Sequence, residues 1–238
     1  MSANSDVTKN NTGDQISPKA LVAEFIGTMG LIFAAVGSIM LIGTGSATGS
    51  ILETLACAIA VALVLFAMIE AFGPLSGGHF NPAISIGLMV VKEVSPKKTA
   101  FYIMAQMAGA LVGMVLLNIM FYDDLAGFMV ISENTWDTLP LFVSEIVGTF
   151  FLIAVVIGCV RSGSKKTSLA VAFVIGGLIL ATSTSMFANP AVDIARIFTE
   201  LGCGIAPMSA MLFIVAQVIG AVLAAFLFGW LYPKANKE

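Results

Sequence analysis

Apolar residues run along this chain in long stretches broken by short polar segments, and the lengths of those stretches predict its architecture. A helix rises about 1.5 Å per residue, so about 20 consecutive apolar residues are needed to cross the hydrocarbon core of a bilayer. Six stretches reach that length, at roughly 20 to 43, 51 to 72, 99 to 122, 139 to 160, 167 to 187 and 207 to 232. Two others, at roughly 81 to 92 and 189 to 199, are too short to cross. Both begin with the tripeptide Asn-Pro-Ala, as Asn81, Pro82 and Ala83 and as Asn189, Pro190 and Ala191. Asn is a strong N-cap and Pro is favoured at the first helical position, so each tripeptide predicts the start of a half-helix. The predicted fold class is an all-α membrane protein with six spans and two re-entrant half-helices.

Composition and charge sharpen that picture. The chain is 58% hydrophobic and only 11% charged, outside the range of soluble domains, so the lipid bilayer is an expected partner and nucleic acid is not. Lys and Arg gather on the cytoplasmic side of short loops. Lys9 and Lys19 precede the first span, Lys92, Lys97 and Lys98 separate the second from the third, Arg161, Lys165 and Lys166 separate the fourth from the fifth, and Lys234 and Lys237 follow the sixth. All of them fall on one side if both termini are cytoplasmic, and Asp123, Asp124, Glu133 and Asp137 fall on the other. The expectation is a multi-pass protein of the cell membrane. Arg196, inside the second half-helix, is the exception to the rule.

The two halves repeat. At an offset of 121, Glu24 falls on Glu145, Gly27 on Gly148, Thr28 on Thr149, Leu31 on Leu152 and Gly37 on Gly158. At an offset of 111, Gln106 falls on Gln217, Gly109 on Gly220, Ala110 on Ala221 and Gly113 on Ala224. The organisation read from this is a polar tail over 1 to 18, a first repeat over 19 to 122, a connecting loop over 123 to 140, a second repeat over 141 to 232 and a short tail over 233 to 238. Three crossings per half force the halves into opposite orientations, so the repeat is inverted. The half-helices then enter from opposite sides and their N-termini can meet near the midplane. Irregular backbone at that depth is tolerated only where protein buries it or water lines it, which predicts a lined passage. Positive helix ends there repel cations, while the Asn amides donate hydrogen bonds to a neutral solute.

The segments SGGHFNPA at Ser76 to Ala83, FANPAVD at Phe187 to Asp193 and AEFIGT at Ala23 to Thr28 resemble the aquaporin and glycerol-facilitator family, and the resemblance extends from about Lys19 to Tyr232. It implies an aquaporin-like hourglass, a homotetramer with one pore per subunit, and passive flux of water or small uncharged solutes. Most members carry Arg directly after the second Asn-Pro-Ala, whereas this chain has Val192. Counting back from each Asn without gaps transfers the other constriction positions to Val61, Gly177 and Met186. None of the four is polar, and Gly177 and Asp193 resemble the glycerol-conducting branch. The expectation is a wide, apolar constriction passing glycerol-like polyols, water, urea or neutral metalloid hydroxides such as arsenite.

The remaining polar residues each have two readings. Glu24 and Glu145 lie in apolar spans, where an ionisable side chain marks function by default; as proton carriers they would make the chain a proton-coupled secondary transporter, the alternative function. The resemblance implies instead that each carboxylate accepts hydrogen bonds from a re-entrant loop. Arg196 either swings into the outer mouth or, as the preferred reading, pairs with Asp193 one turn earlier or faces the vestibule. His79, the only histidine, has no catalytic partner at recognisable spacing and by resemblance lines or braces the inner vestibule. No enzyme activity, metal or cofactor is expected, and Cys57, Cys159 and Cys203 read as packing residues.

Overall fold

The computed structural model describes residues 16–43, 51–125 and 127–234. The expected polar tail up to residue 15, with Lys9, and Lys237 at the other end lie outside the described residues. All described regular structure is helical, in the order α1 (Pro18–Ile32), a π-helical segment (Phe33–Gly37), α2 (Ser38–Gly43), α3 (Ile51–Ser76), α4 (Pro82–Val90), α5 (Pro96–Met120), a 3₁₀ turn (Tyr122–Asp124), α6 (Leu139–Ser162), α7 (Thr167–Ala181), α8 (Pro190–Arg196) and α9 (Pro207–Leu231). Proline opens several of these helices at positions where its missing N–H costs nothing, including Pro18, Pro82, Pro96, Pro190 and Pro207.

Five stretches among the described residues are long and apolar enough to cross a bilayer: Pro18–Ile42, Ile51–Ser76, Pro96–Met120, Leu139–Ser162 and Pro207–Leu231. The fifth expected span is shorter than the sequence pattern suggested. Helix α7 stops at Ala181, and residues 182 to 188, apolar enough to be read as its continuation, instead form the irregular leg leading into α8. Its reversal is made by positive φ at Ser185 (53°), Met186 (42°) and Ala188 (43°), a conformation that apolar periodicity does not signal. The second half-helix likewise ends at Arg196 rather than near 199.

The repeat is visible in the packing. Helix α1 lies along α5, and α6 lies along α9. Each pair touches backbone to backbone at a glycine: a Cβ on Gly109 would overlap the Phe25 carbonyl oxygen, and one on Gly220 would overlap the Ile146 carbonyl oxygen. These are equivalent places in the two halves, and small residues let spans approach without a hydrophobic drive between them. Gly27 gives its space to the Phe80 ring in the same way. Each half-helix lodges partly in the opposite half, α4 against α9 and α6, and α8 against α5 and α1. The halves therefore interlock rather than merely abut.

At one end of the bundle the basic residues meet. Arg161 Nε lies 2.7 Å from Glu93 Oε1 and Lys234 Nζ lies 3.5 Å from Glu93 Oε2. Arg161 also donates to the carbonyls of Val91 (2.8 Å) and Tyr232 (2.6 Å), and Lys234 to that of Lys92 (2.9 Å). The segment after α4, the end of α6 and the end of α9 are thus clasped together on the face where the positive loops were expected to gather.

Gly109→Ala and Gly220→Ala should each destabilise the fold by roughly 1–3 kcal/mol, the usual cost of overpacking, because the obstructing atom is backbone. Gly177, where an added Cβ would meet no atom within 4 Å, supplies the control. Thermal unfolding of the purified protein in detergent should show clear drops in Tm for the first two variants and none for Gly177→Ala. Equal Tm values for all three would contradict the backbone contacts.

Candidate functional site

The two Asn-Pro-Ala segments meet, and each holds the other. Asn81 accepts from Ala83 N through Oδ1 (2.8 Å) and donates from Nδ2 to the Ala188 carbonyl (2.7 Å). Asn189 does the same in mirror fashion, accepting from Ala191 N (3.0 Å) and donating to the Phe80 carbonyl (3.1 Å). Each side chain caps its own half-helix and ties it to the turn before the other. One of the two amide hydrogens is consumed in this way; both asparagines also line an internal cavity, so the second is available to its contents.

Phe80 (φ 50°) and Ala188 (φ 43°), which supply those carbonyls, occupy the left-handed region, at about 1–2 kcal/mol for a residue with a Cβ. Two buried carboxylates offset the strain. Glu24 accepts from Ser76 Oγ (2.6 Å), His79 N (3.0 Å), Phe80 N (2.7 Å) and Gln106 Nε2 (2.7 Å). Glu145 accepts from Phe187 N (3.0 Å), Ala188 N (2.8 Å) and Gln217 Nε2 (2.7 Å). Both are fully buried, and neither lines the internal cavity.

That cavity measures about 40 Å³ and runs past Leu31, Ala35, Cys57, Val61, Ile175 and Ile179 to Val192 and Arg196. Of the four positions transferred by counting, Val61, Met186 and Val192 line it and Gly177 does not. Gly177 is exposed on the outer face of α7. Ile175 and Ile179, four apart and so on one helical face, stand towards the lumen instead, and two residues from either rotates the chain about 200° away. Ungapped counting assumed a fixed length for the irregular leg between α7 and Asn189, and that leg is where the register is lost. The wide opening expected from a glycine is replaced by branched aliphatic walls.

His79 lies beside Ser85, with Nδ1 2.9 Å from Ser85 Oγ, and its ring meets Tyr102 edge on at 5.1 Å. Ser85 also accepts from Gln106 Nε2 (3.0 Å). The histidine braces the first re-entrant loop and lines neither the internal cavity nor the outer one. Arg196 is buried, donates from Nε to the Cys203 carbonyl and holds its guanidinium carbon 3.7 Å from the centre of the Phe187 ring. The expected pair with Asp193 is not among the ion pairs of the described residues. Asp193 is fully buried near Glu145 and Gln217, and it feels the charge of Arg196 without contacting it.

The outer cavity, about 60 Å³, is walled by Glu53, Thr54, Cys57, Thr184, Arg196 and Trp136. Trp136 comes from the loop between α5 and α6, which is tied down by Ser132 N to the Ile197 carbonyl (2.7 Å), Ala206 N to the Asn134 carbonyl (2.7 Å) and Met129 N to Asn118 Oδ1 (2.9 Å). Sequence reading found no specific signal in that loop. Trp136, flanked by Thr135 and Asp137 on a segment between spans, was the residue that could have drawn attention to it.

Residues 13–188 match the Major intrinsic protein family, the match ending just before the second tripeptide. The aquaglyceroporin AqpS of Rhizobium meliloti (strain 1021) is 35% identical over 215 residues, 90% of this chain and 91% of that protein. Aquaporin-5 of Mus musculus is 30% identical over 228 residues, 91% of this chain and 82% of that protein. The crystal structure of an aquaglyceroporin from Plasmodium falciparum superposes with a TM-score of 0.69 at 24% identity, covering 88% of this chain and 94% of that one, a likeness of fold.

Enlarging Gly177 to Phe should leave solute flux through reconstituted protein unchanged, whereas Ile179→Trp should cut it by roughly tenfold or more, since added volume in a lumen this narrow has nowhere to go. Stopped-flow light scattering on proteoliposomes measures both. Loss of flux in the Gly177 variant with none in the Ile179 variant would reverse the assignment of the α7 face.

Proposed function

Because this chain belongs to the major intrinsic protein family, we propose that it is a passive transmembrane channel, not an enzyme, conducting water and small uncharged solutes such as glycerol through the passage between its two half-helices. The observation that carries this reading is the reciprocal Asn81 and Asn189 clasp, both asparagines lining a largely apolar internal cavity. Such a lumen offers a solute few hydrogen bonds in exchange for those of water, which disfavours ions most, neutral polar molecules less, and molecules with a carbon edge least. Val61, Met186 and Val192 form the apolar constriction in this reading, with Ile175 and Ile179 completing it. Urea and neutral metalloid hydroxides such as arsenite meet the same requirement of size and neutrality.

The proton-coupled alternative required Glu24 and Glu145 to release and rebind protons along the pathway. Both carboxylates are instead occupied as acceptors for loop N–H groups and Gln side chains, and nothing among the described residues supports coupling. Protonating either would withdraw an acceptor from the strained turn it holds.

The wider proposal is a homotetramer in the cell membrane with both termini cytoplasmic. Its orientation is supported by the clasp of Arg161, Lys234 and Glu93 at one end of the bundle together with the positive-inside rule. The tetramer is supported by family membership and by broad exposed apolar faces on α3 and α7, among them Ile59, Leu63, Phe173 and Leu180.

Proteoliposomes carrying the protein should equilibrate glycerol and water faster than empty vesicles, and an imposed proton gradient should produce no accumulation. Val192→Arg should narrow the lumen and lower glycerol flux more than water flux, by about tenfold, the effect of roughly 1.4 kcal/mol on the barrier. Uptake of neither solute would remove the channel reading, and equal loss of both in the variant would take Val192 out of the constriction.

A further inference from the structure

Arg196 presents an energetic problem that its protein contacts do not solve. Only 6% of it is exposed, and burying a charge without an ion pair in contact is expensive; the nearby Asp193 acts on it only through its field. Against that cost it makes one hydrogen bond, from Nε to the Cys203 carbonyl, and stacks on Phe187 at 3.7 Å. Its two terminal nitrogens make no hydrogen bond to any described residue, while the side chain lines both the internal and the outer cavity. A guanidinium offers its donors as a rigid planar fork, and on a side chain that lines both cavities the unbonded N–H groups remain available to a solute. Arg196 is four residues after Val192, on the same helical face and about 6 Å along the axis.

Resting on the channel reading, we propose that Arg196 is the specificity-determining cation of this conduit: it orients solutes bearing adjacent hydroxyls, and excludes cations, from a point one helical turn beyond Val192. The solute class follows from the geometry. A paired donor matches two neighbouring hydroxyl oxygens on one edge of a polyol, while Val61 and Val192 on the adjoining wall suit its C–H edge. Cation exclusion follows from position. Glu53 shares the outer cavity and tempers the field there, but among the described residues no acidic side chain lines the internal cavity, where Arg196 also reaches. The Phe187 ring and the Cys203 carbonyl serve to hold the plane of the fork.

Three variants separate the parts of this assignment in proteoliposomes, with glycerol and water permeability and sodium leak as readouts. Arg196→Lys keeps the charge and loses the fork; it should remain sodium-tight while its glycerol to water ratio falls about tenfold, the loss of one charge-assisted hydrogen bond. Arg196→Leu should show the same fall in ratio and a sodium leak raised roughly tenfold or more, the field being strong in a narrow, weakly polar lumen. If the Leu variant fails to reach the membrane, Arg196→Gln, which retains an amide donor for Cys203, decides on the leak. A sodium-tight Leu or Gln variant with an unchanged glycerol to water ratio overturns the assignment and leaves Arg196 as a clamp on the Cys203 segment. A wild type that conducts neither solute removes the channel reading itself, and this assignment with it.

Discussion

Backbone that leaves the helical ladder halfway across a bilayer must find its hydrogen-bond partners in protein, and the whole structure is arranged around that requirement. Glu24 and Glu145 are the solution, each receiving consecutive loop N–H groups and the amide of a glutamine from a neighbouring span. An ionised carboxylate is an acceptor only, with room for several donors. That matches a re-entrant turn whose N–H groups all point one way. The left-handed residues Phe80 and Ala188 persist because these anchors hold them. Once both turns are fixed, the asparagines beyond them can reach across to each other's carbonyls, and the half-helices lock end to end.

Everything that follows at the lumen is shaped by what that lock leaves over. The capping bonds consume the Asn Oδ1 atoms and one hydrogen of each amide, so the midplane presents a sparse set of donors between aliphatic walls. Among the described residues no acidic side chain lines the internal cavity, and a lumen with so few donors favours small neutral solutes without moving parts. Both carboxylates that sequence alone would nominate for proton transfer are structural. Passive conduction is the activity that a rigid, pre-bonded passage of this kind supports.

The two halves share a design yet differ where it matters for selectivity. Ser85 in the first half has Asp193 as its counterpart in the second, each four residues after its asparagine; the first bonds Gln106 and His79, while the second is buried on the side of Gln217 and Glu145. The second half-helix also carries Arg196, which has no charged equivalent at the matching place in the first. Asymmetry of charge has thus been introduced in the second half-helix alone, within a backbone plan that remains nearly symmetric.

Most of the spans, the paired tripeptides and the inverted repeat were legible in the sequence, because apolar length, helix-start signals and equal spacing depend only on residue order; the loop-supporting role of Glu24 and Glu145 came only through the family resemblance, since an ionisable residue in an apolar span by itself marks function. Three features were not legible. Helix α7 ends early because Thr182 leaves it for extended backbone and positive φ at Ser185 and Met186 then turns the chain back, and apolar residues look alike in a helix and in a buried turn. Gly177 faces outward because the counting rule cannot see how many residues that turn absorbs. Arg196 meets Phe187 and Cys203 rather than Asp193, one turn before it on the same half-helix, because side-chain choice between a local and a distant partner is made by packing. Residue order alone therefore determined that this chain is a membrane protein of apolar helices around two facing stubs. Which side chains look into the gap between them was decided in three dimensions, where helix rotation and the length of one irregular leg set the direction of every Cβ.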